Sequence, residues 1–189
     1  MTRIVILAAG KGTRMGSELP KVLVPLNGKP MISRLLDSVV AAAVDPCPVI
    51  VVSPDNKEII SSSLADYKAE YAIQAEQLGT GHAVSCAESV LEIGGQVPDK
   101  IIVLYGDHPF LKPESIRRFA DLTPEAMTIM PTKLPDFSDW RANFYHWGRI
   151  VRGREGRVER IVEFKDATPE EKEITEVNPG FMCFNYRWL

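Results

Sequence analysis

The chain has little of what most simple site assignments require. Among its 189 residues are three cysteines and three histidines, and neither type recurs at metal-ligand spacing. Cys47, Cys86 and Cys183 are far apart and set among apolar or helical neighbours. They read as buried free thiols in a reducing, cytoplasmic compartment. No apolar stretch approaches a membrane span. The run at residues 4–9 is also too short for a signal peptide and has no cleavage region. A basic excess is missing too, because 22 Lys+Arg against 25 Asp+Glu give a net charge of −3. That excludes a global field recruiting nucleic acid, and neither nucleic acid nor membrane is expected as a partner. Coiled-coil and repeat signals are absent, so the sequence leaves the oligomeric state open.

What is present suits one globular domain with a sizeable core: 45% of residues are hydrophobic and 25% charged. Short apolar runs at Ile4–Ala8, Val49–Val52, Tyr71–Gln74, Ile101–Tyr105 and Met127–Met130 read as strands. Most lack polar alternation, as strands covered on both faces do. Between them Met31–Ala43, Asn56–Leu64, Gly81–Glu92 and Glu114–Ala120 read as helices, the third with an apolar face from Ala83 to Leu91. This alternation predicts an α/β fold with a mostly parallel sheet and ligands at its carboxyl edge. After Pro131 the pattern changes, and Gly148–Val151 and Arg157–Phe164 predict a small β-hairpin extension around Gly153-Arg-Glu-Gly156.

The first strand feeds a cationic glycine loop, with Gly10, Lys11, Gly12, Arg14 and Gly16 followed by Pro20-Lys21. Glycine-exposed N–H groups beside Lys and Arg suit a polyphosphate. The glycine spacing is not that of the dinucleotide motif, and the P-loop pattern is absent. Pro20, Pro25 and Pro30 also argue against a helix opening there. A phosphate-wrapping loop and a plain surface turn both remain on spacing alone. In Tyr105-Gly106-Asp107-His108-Pro109, Asp107 stands at a strand's carboxyl end as a hard ligand for Mg²⁺, or as a turn cap. Gln74 carries donors and acceptors able to read a base edge. Gly79-Thr80-Gly81 permits close approach, although Thr80 also reads as a helix N-cap. His82 reads as a structural histidine at a helix start, because no nucleophile or metal-ligand spacing accompanies it.

Together these segments resemble a known family. Leu7-Ala-Ala-Gly10-Lys-Gly-Thr-Arg14-Met with Leu19-Pro-Lys21 is similar to the signature of sugar-1-phosphate nucleotidyltransferases. The stretch Gln74–Ala83, Tyr105-Gly-Asp107, Gly148-Arg-Ile150, Glu163–Thr168 and Glu176-Val-Asn178 narrow the resemblance. In that order they look like the uridylyltransferase domain of bacterial N-acetylglucosamine-1-phosphate uridylyltransferases, over nearly the whole chain.

The resemblance implies a Rossmann-like sheet flanked by helices, the nucleotidyltransferase type A fold. It further implies that Leu7, Ala8, Ala9, Gly10, Gln74, Gly79 and Thr80 hold the uridine end of UTP, with Tyr105 and Gly106 lining the same site. Arg14 and Lys21 would grip the phosphates and Asp107 would ligate Mg²⁺, making these three the catalytic set. Gly148, Glu163 and Asn178 would hold the sugar. The implied reaction passes UMP from UTP to a sugar 1-phosphate such as N-acetylglucosamine 1-phosphate, releasing pyrophosphate. A phosphate monoester has a second pKa of about 6, so the nucleophile is already an anion at pH 7 and needs no general base.

Two departures from the family pattern set further expectations. Leu134–Trp147 is longer and more aromatic than the corresponding family loop, as either a sugar platform or a loop core. The family domain also continues beyond the segment matching Trp188-Leu189. Residues 1–189 are therefore expected to be a nucleotidyltransferase domain incomplete at its C-terminus. A second metal ligand (an asparagine) and the acetyltransferase β-helix domain would be missing. Such a chain is expected to bind UTP better than it turns it over.

Overall fold

A computed structural model describes residues 1–10, 19–92, 94–122 and 125–189. The first half contains β1 (Thr2–Leu7), β2 (Pro25–Leu26), β3 (Lys29–Pro30), α1 (Met31–Ala42), β4 (Val49–Val52), α2 (Lys57–Ser63) and β5 (Glu70–Ile73). Next come α3 (Thr80–Ser85), α4 (Glu88–Leu91), β6 (Lys100–Tyr105), α5 (Pro113–Asp121) and β7 (Met127–Ile129). The remainder holds β8 (Thr132–Lys133), β9 (Arg149–Arg152), β10 (Val158–Val162), α6 (Pro169–Lys172), β11 (Glu176–Val177) and β12 (Met182–Asn185).

The main sheet runs β5-β4-β1-β6-β12-β7. β1 pairs in parallel with β4 on one side and β6 on the other. Its centre, Ile4 to Ile6, and all of Val49–Val52 are fully buried, which is why these strands read as unbroken apolar runs. Chain order reverses at β1, so the carboxyl ends of β1 and β6 form the topological switch point, where α/β sheets bind ligands. Leu7 and Tyr105 are register partners there.

α1 buries Ile32, Leu35, Leu36 and Val39 at helical spacing. It ends on Ala43 at φ 55, a left-handed cap. α3, α4 and Ala87 between them contribute Ala83, Val84, Ala87 and Leu91 to a cluster with Val5, Val49, Val51, Ile101 and Val103.

Three sequence expectations change in detail. The single helix expected over Gly81–Glu92 is two helices separated at Cys86 and Ala87. There the Ser85 hydroxyl donates to the His82 carbonyl at 2.9 Å, and Ala87 N–H bonds the Val84 carbonyl three residues back. Side-chain competition of this kind tightens and interrupts a helix. β12 was not anticipated. It is a short run after Pro179-Gly180, and it enters the main sheet antiparallel to β6, Met182 opposite Val103. The cysteines are all free, but only Cys183 is buried, while Cys47 and Cys86 are half-buried.

The chain divides into two compact units, Met1–Thr128 with Met182–Leu189, and Ile129–Phe181. The second is more than the expected hairpin. β9 and β10 pair around a turn containing Gly156 at φ 76, and β11 and β8 extend them into a four-stranded antiparallel sheet. The Glu163–Thr168 stretch ends in a capping box, where the Thr168 side chain accepts from Glu171 N–H and the Glu171 carboxylate accepts from Thr168 N–H. Among the described residues, no helix is long and apolar enough to cross a membrane.

Candidate active site

A cavity of about 690 Å³ opens in the first unit at the ends of β1 and β6, within the size range of small-ligand sites. The sequence-predicted Leu7, Ala8, Ala9 and Gly10 line one side. The chain leaves β1 there with its carbonyls already engaged. Gly106 N–H donates to the Leu7 carbonyl at 3.0 Å, Asn56 Nδ2 to Ala8 at 3.1 Å and Gln77 Nε2 to Ala9 at 2.7 Å. Space for a Cβ on Gly10 is open, with nothing within 4 Å. Arg14, a predicted catalytic residue, lies outside the described residues.

Lys21 begins a 3-10 turn whose Val22 and Leu23 are buried, which anchors the base of its side chain at the cavity. Its Nζ meets Asp107 Oδ2 at 2.5 Å, and both residues line the cavity. Gly106 has a packing role. A Cβ there would come within 2.9 Å of Val22 Cγ1 and 3.2 Å of the Leu7 carbonyl, so only glycine lets β6 close against the Lys21 turn. Tyr105 OH lies 3.4 Å from the Thr80 hydroxyl. Thr80 is the first residue of α3 and not its N-cap. That position belongs to Gly79 at φ 104, a conformation suited to glycine.

Gln74, 4% exposed, is the base-reading candidate. Its backbone N–H continues the β5 ladder to Val52 at 2.8 Å. Its Nε2 lies 3.2 Å from both the Gly79 carbonyl and His82 Nδ1. Two further residues belong to this neighbourhood: Gln77, to which the sequence assigns no role, and His82, which it marks as structural. Gln77 clamps the β1 loop, and His82 touches Gln74 instead of standing alone. Both sit inside the Gln74–Ala83 stretch, so their proximity in sequence was the available signal. His108 packs against Tyr105 with ring centroids 5.5 Å apart, and burial lowers its pKa.

Asp107 is the candidate metal ligand. No group of three His, Cys, Asp or Glu side chains able to hold a metal occurs among the described residues. Mg²⁺ does not require one, because one or two carboxylates plus substrate phosphates suffice. A half-buried carboxylate beside a lysine fits that pattern.

The second unit brings the three predicted sugar residues together. Asn178 N–H donates to the Gly148 carbonyl at 2.9 Å, and a Cβ on Gly148 would lie 3.6 Å from Glu163 Oε1. The Asn178 carboxamide oxygen already accepts from Gly180 N–H at 2.9 Å, leaving its NH₂ to donate. Part of the aromatic loop packs, half-buried, around one cation. Phe137, Tyr145 and Phe164 surround the Arg149 guanidinium, whose Cζ lies 4.8, 5.5 and 5.4 Å from their centroids. Trp140 stays 64% exposed.

Comparison with known proteins agrees with this layout. Residues 4–148 match the family model of the MobA-like NTP transferase domain. The bifunctional protein GlmU of Alcanivorax borkumensis is 41% identical over 187 residues, covering 98% of this chain and 38% of that protein. The GlmU of Halalkalibacterium halodurans is 45% identical over 184 residues, covering 96% and 38%. The chain thus spans well under half the length of these relatives. Among solved structures, HddC from Yersinia pseudotuberculosis superposes with a TM-score of 0.73 at 23% identity, covering 99% of this chain and 78% of its own. A Bacillus anthracis protein assigned as a glucose-1-phosphate thymidylyltransferase gives 0.75 at 18%, covering 98% and 72%. The fold is that of the nucleotidyltransferases, and the chain belongs to the MobA-like NTP transferase family.

Proposed function

We propose that the chain transfers UMP from UTP to a sugar 1-phosphate, with N-acetylglucosamine 1-phosphate as the acceptor, giving a UDP-sugar and pyrophosphate. The observation that carries this reading is the Lys21–Asp107 pair in a cavity at the switch point, with Gln74 lining the same space. Similarity to GlmU proteins over nearly the whole chain supports the choice of nucleotide and acceptor.

The chemistry demands alignment and charge neutralisation more than proton transfer. An oxygen of the sugar phosphate, already anionic, forms the new bond to the α-phosphorus, and the bond to the β-phosphate oxygen breaks to release pyrophosphate. Lys21 exchanges Asp107 for phosphate oxygens and stabilises the charge that accumulates there. Arg14 is assigned the same task. Asp107 would hold Mg²⁺, which supplies Lewis-acid neutralisation of the phosphates when bound. Leu7 to Gly10 present backbone to the nucleoside, Gln74 reads the base, and Gly79 and Thr80 complete that wall with Tyr105 and Gly106. Gly148, Glu163 and Asn178 contact the sugar, Glu163 accepting from hydroxyls and Asn178 donating through its amide.

Pyrophosphate release, measured with UTP, Mg²⁺ and a panel of sugar 1-phosphates, tests the proposal. The expected result is release with N-acetylglucosamine 1-phosphate and UTP. Release only with another nucleotide, or with none, contradicts it.

A further inference from the structure

We infer that His82 is a positioning residue for the nucleobase: it holds the Gln74 amide so that Gln74 offers oxygen, not nitrogen, to the ligand. The inference rests on the uridylyl reading above and deepens it.

Hydrogen-bond chemistry fixes the arrangement. The Gly79 carbonyl can only accept, so the Gln74 atom 3.2 Å from it is the amide nitrogen. The same nitrogen is 3.2 Å from His82 Nδ1. An amide NH₂ only donates, so Nδ1 carries a lone pair and the imidazole proton sits on Nε2. That nitrogen faces Cys86 Sγ at 3.8 Å, a weak acceptor. Both N–H bonds of Gln74 are then committed inside the protein, and Oε1 is what the amide has left for the cavity it lines.

An acceptor is the right match for the imide edge of uracil, whose N3 carries a proton. Cytosine presents a lone pair at N3, so an acceptor held opposite that atom is repelled; its donor on this edge is the N4 amino group, one position away. Thymine shares the imide edge, so this device separates imide pyrimidines from cytosine and not uracil from thymine. Without an acceptor at His82, one Gln74 N–H is released and the amide can turn its donor towards the base.

The test is the ratio of UTP to CTP affinity with Mg²⁺, measured by calorimetry on the full chain, His82→Leu and His82→Asn. His82→Leu is expected to narrow the ratio about tenfold, mainly by weakening UTP, the worth of one charge-neutral buried hydrogen bond. His82→Asn, whose Oδ1 replaces Nδ1 as acceptor, is expected to restore most of it. An unchanged ratio in His82→Leu overturns the inference, as does equal weakening of both nucleotides, or an Asn variant no better than Leu. If the unsubstituted chain binds UTP and CTP equally, the uridylyl reading falls and this inference with it. If the preference is present but indifferent to His82, the inference alone falls. Long-range ¹H–¹⁵N spectra of the unsubstituted chain give a check independent of how the variants fold. An Nε2-protonated ring is expected, and an Nδ1-protonated ring overturns the assignment.

Discussion

Two fully buried arginines, one in each unit, are satisfied in different ways. Arg3, in β1, has carboxylates: Asp45 at 3.1 Å, itself buried, and Glu70 at 2.6 Å. The Cys47 carbonyl at 3.0 Å and the Leu91 carbonyl at 3.4 Å also accept from it. Arg149, in β9, has carbonyls and aromatic faces. It donates to Tyr145 at 2.7 Å, to Lys172 at 3.1 Å and to Trp147, with three rings around it, and burial lowers its pKa. The first arrangement ties the root of the central strand to distant segments through charge. The second uses part of an aromatic loop to hold one cation. Phe137 and Tyr145 of the aromatic-rich stretch 134–147 thus pack around Arg149, while the polar Lys21, Gln74 and Asp107 line the first unit's cavity.

Because the compensation differs, the two sites should fail differently. Asp45→Ala takes from the Arg3 guanidinium its one buried carboxylate, leaving the more exposed Glu70, and removes the acceptor of Ile4 N–H, which Asp45 Oδ2 takes at 2.7 Å. It is expected to lower unfolding free energy by about 3–5 kcal/mol in urea denaturation. Arg149→Met removes the charge itself and leaves only carbonyls unsatisfied, for a smaller loss of about 1–3 kcal/mol. Equal losses in the two variants would break the comparison.

Gly106→Ala sharpens it from the functional side. The added methyl presses on Val22 and the Leu7 carbonyl, a strain of about 1–3 kcal/mol. It also displaces the turn carrying Lys21, so pyrophosphate release should fall more than stability does.

The smallest effect is electrostatic. Asp136, at the start of the aromatic loop, is held down to about 2 by the Ser138 hydroxyl and N–H and by Arg141. A depressed carboxylate stabilises the fold above its ordinary pKa of about 3.9, and that stabilisation is lost as pH falls towards about 2. Carboxylate NMR titration should find the low midpoint, and Arg141→Ala should raise it. An ordinary midpoint would contradict the contact.

The sheet and the cavity were legible because strand ends and glycines announce them. Leu7, Gln74 and Tyr105 each close an apolar run, and Gly79 and Gly106 follow closely. The buried arginines were not legible, since Arg3 and Arg149 look like ordinary charges at the edge of a strand. Nothing local reports that Asp45 lies 42 residues away in sequence yet in contact. β12 was missed because Met182–Asn185 is short and its partner, β6, is distant in sequence. His82 reads as structural because no nucleophile or metal-ligand spacing accompanies it, and nothing local reports its contact with Gln74 eight residues earlier.

The proposed assignment of nucleotide to the first unit and sugar to the second is tested most directly by UTP affinity with Mg²⁺ in Lys21→Ala and Glu163→Ala. Lys21→Ala should bind UTP about 10- to 100-fold more weakly, the worth of one charged hydrogen bond. Glu163→Ala should bind UTP as the unsubstituted chain does and lose affinity only for the sugar phosphate. Equal loss of UTP affinity in both variants, or none in Lys21→Ala, would contradict the assignment of the nucleotide to the cavity of the first unit.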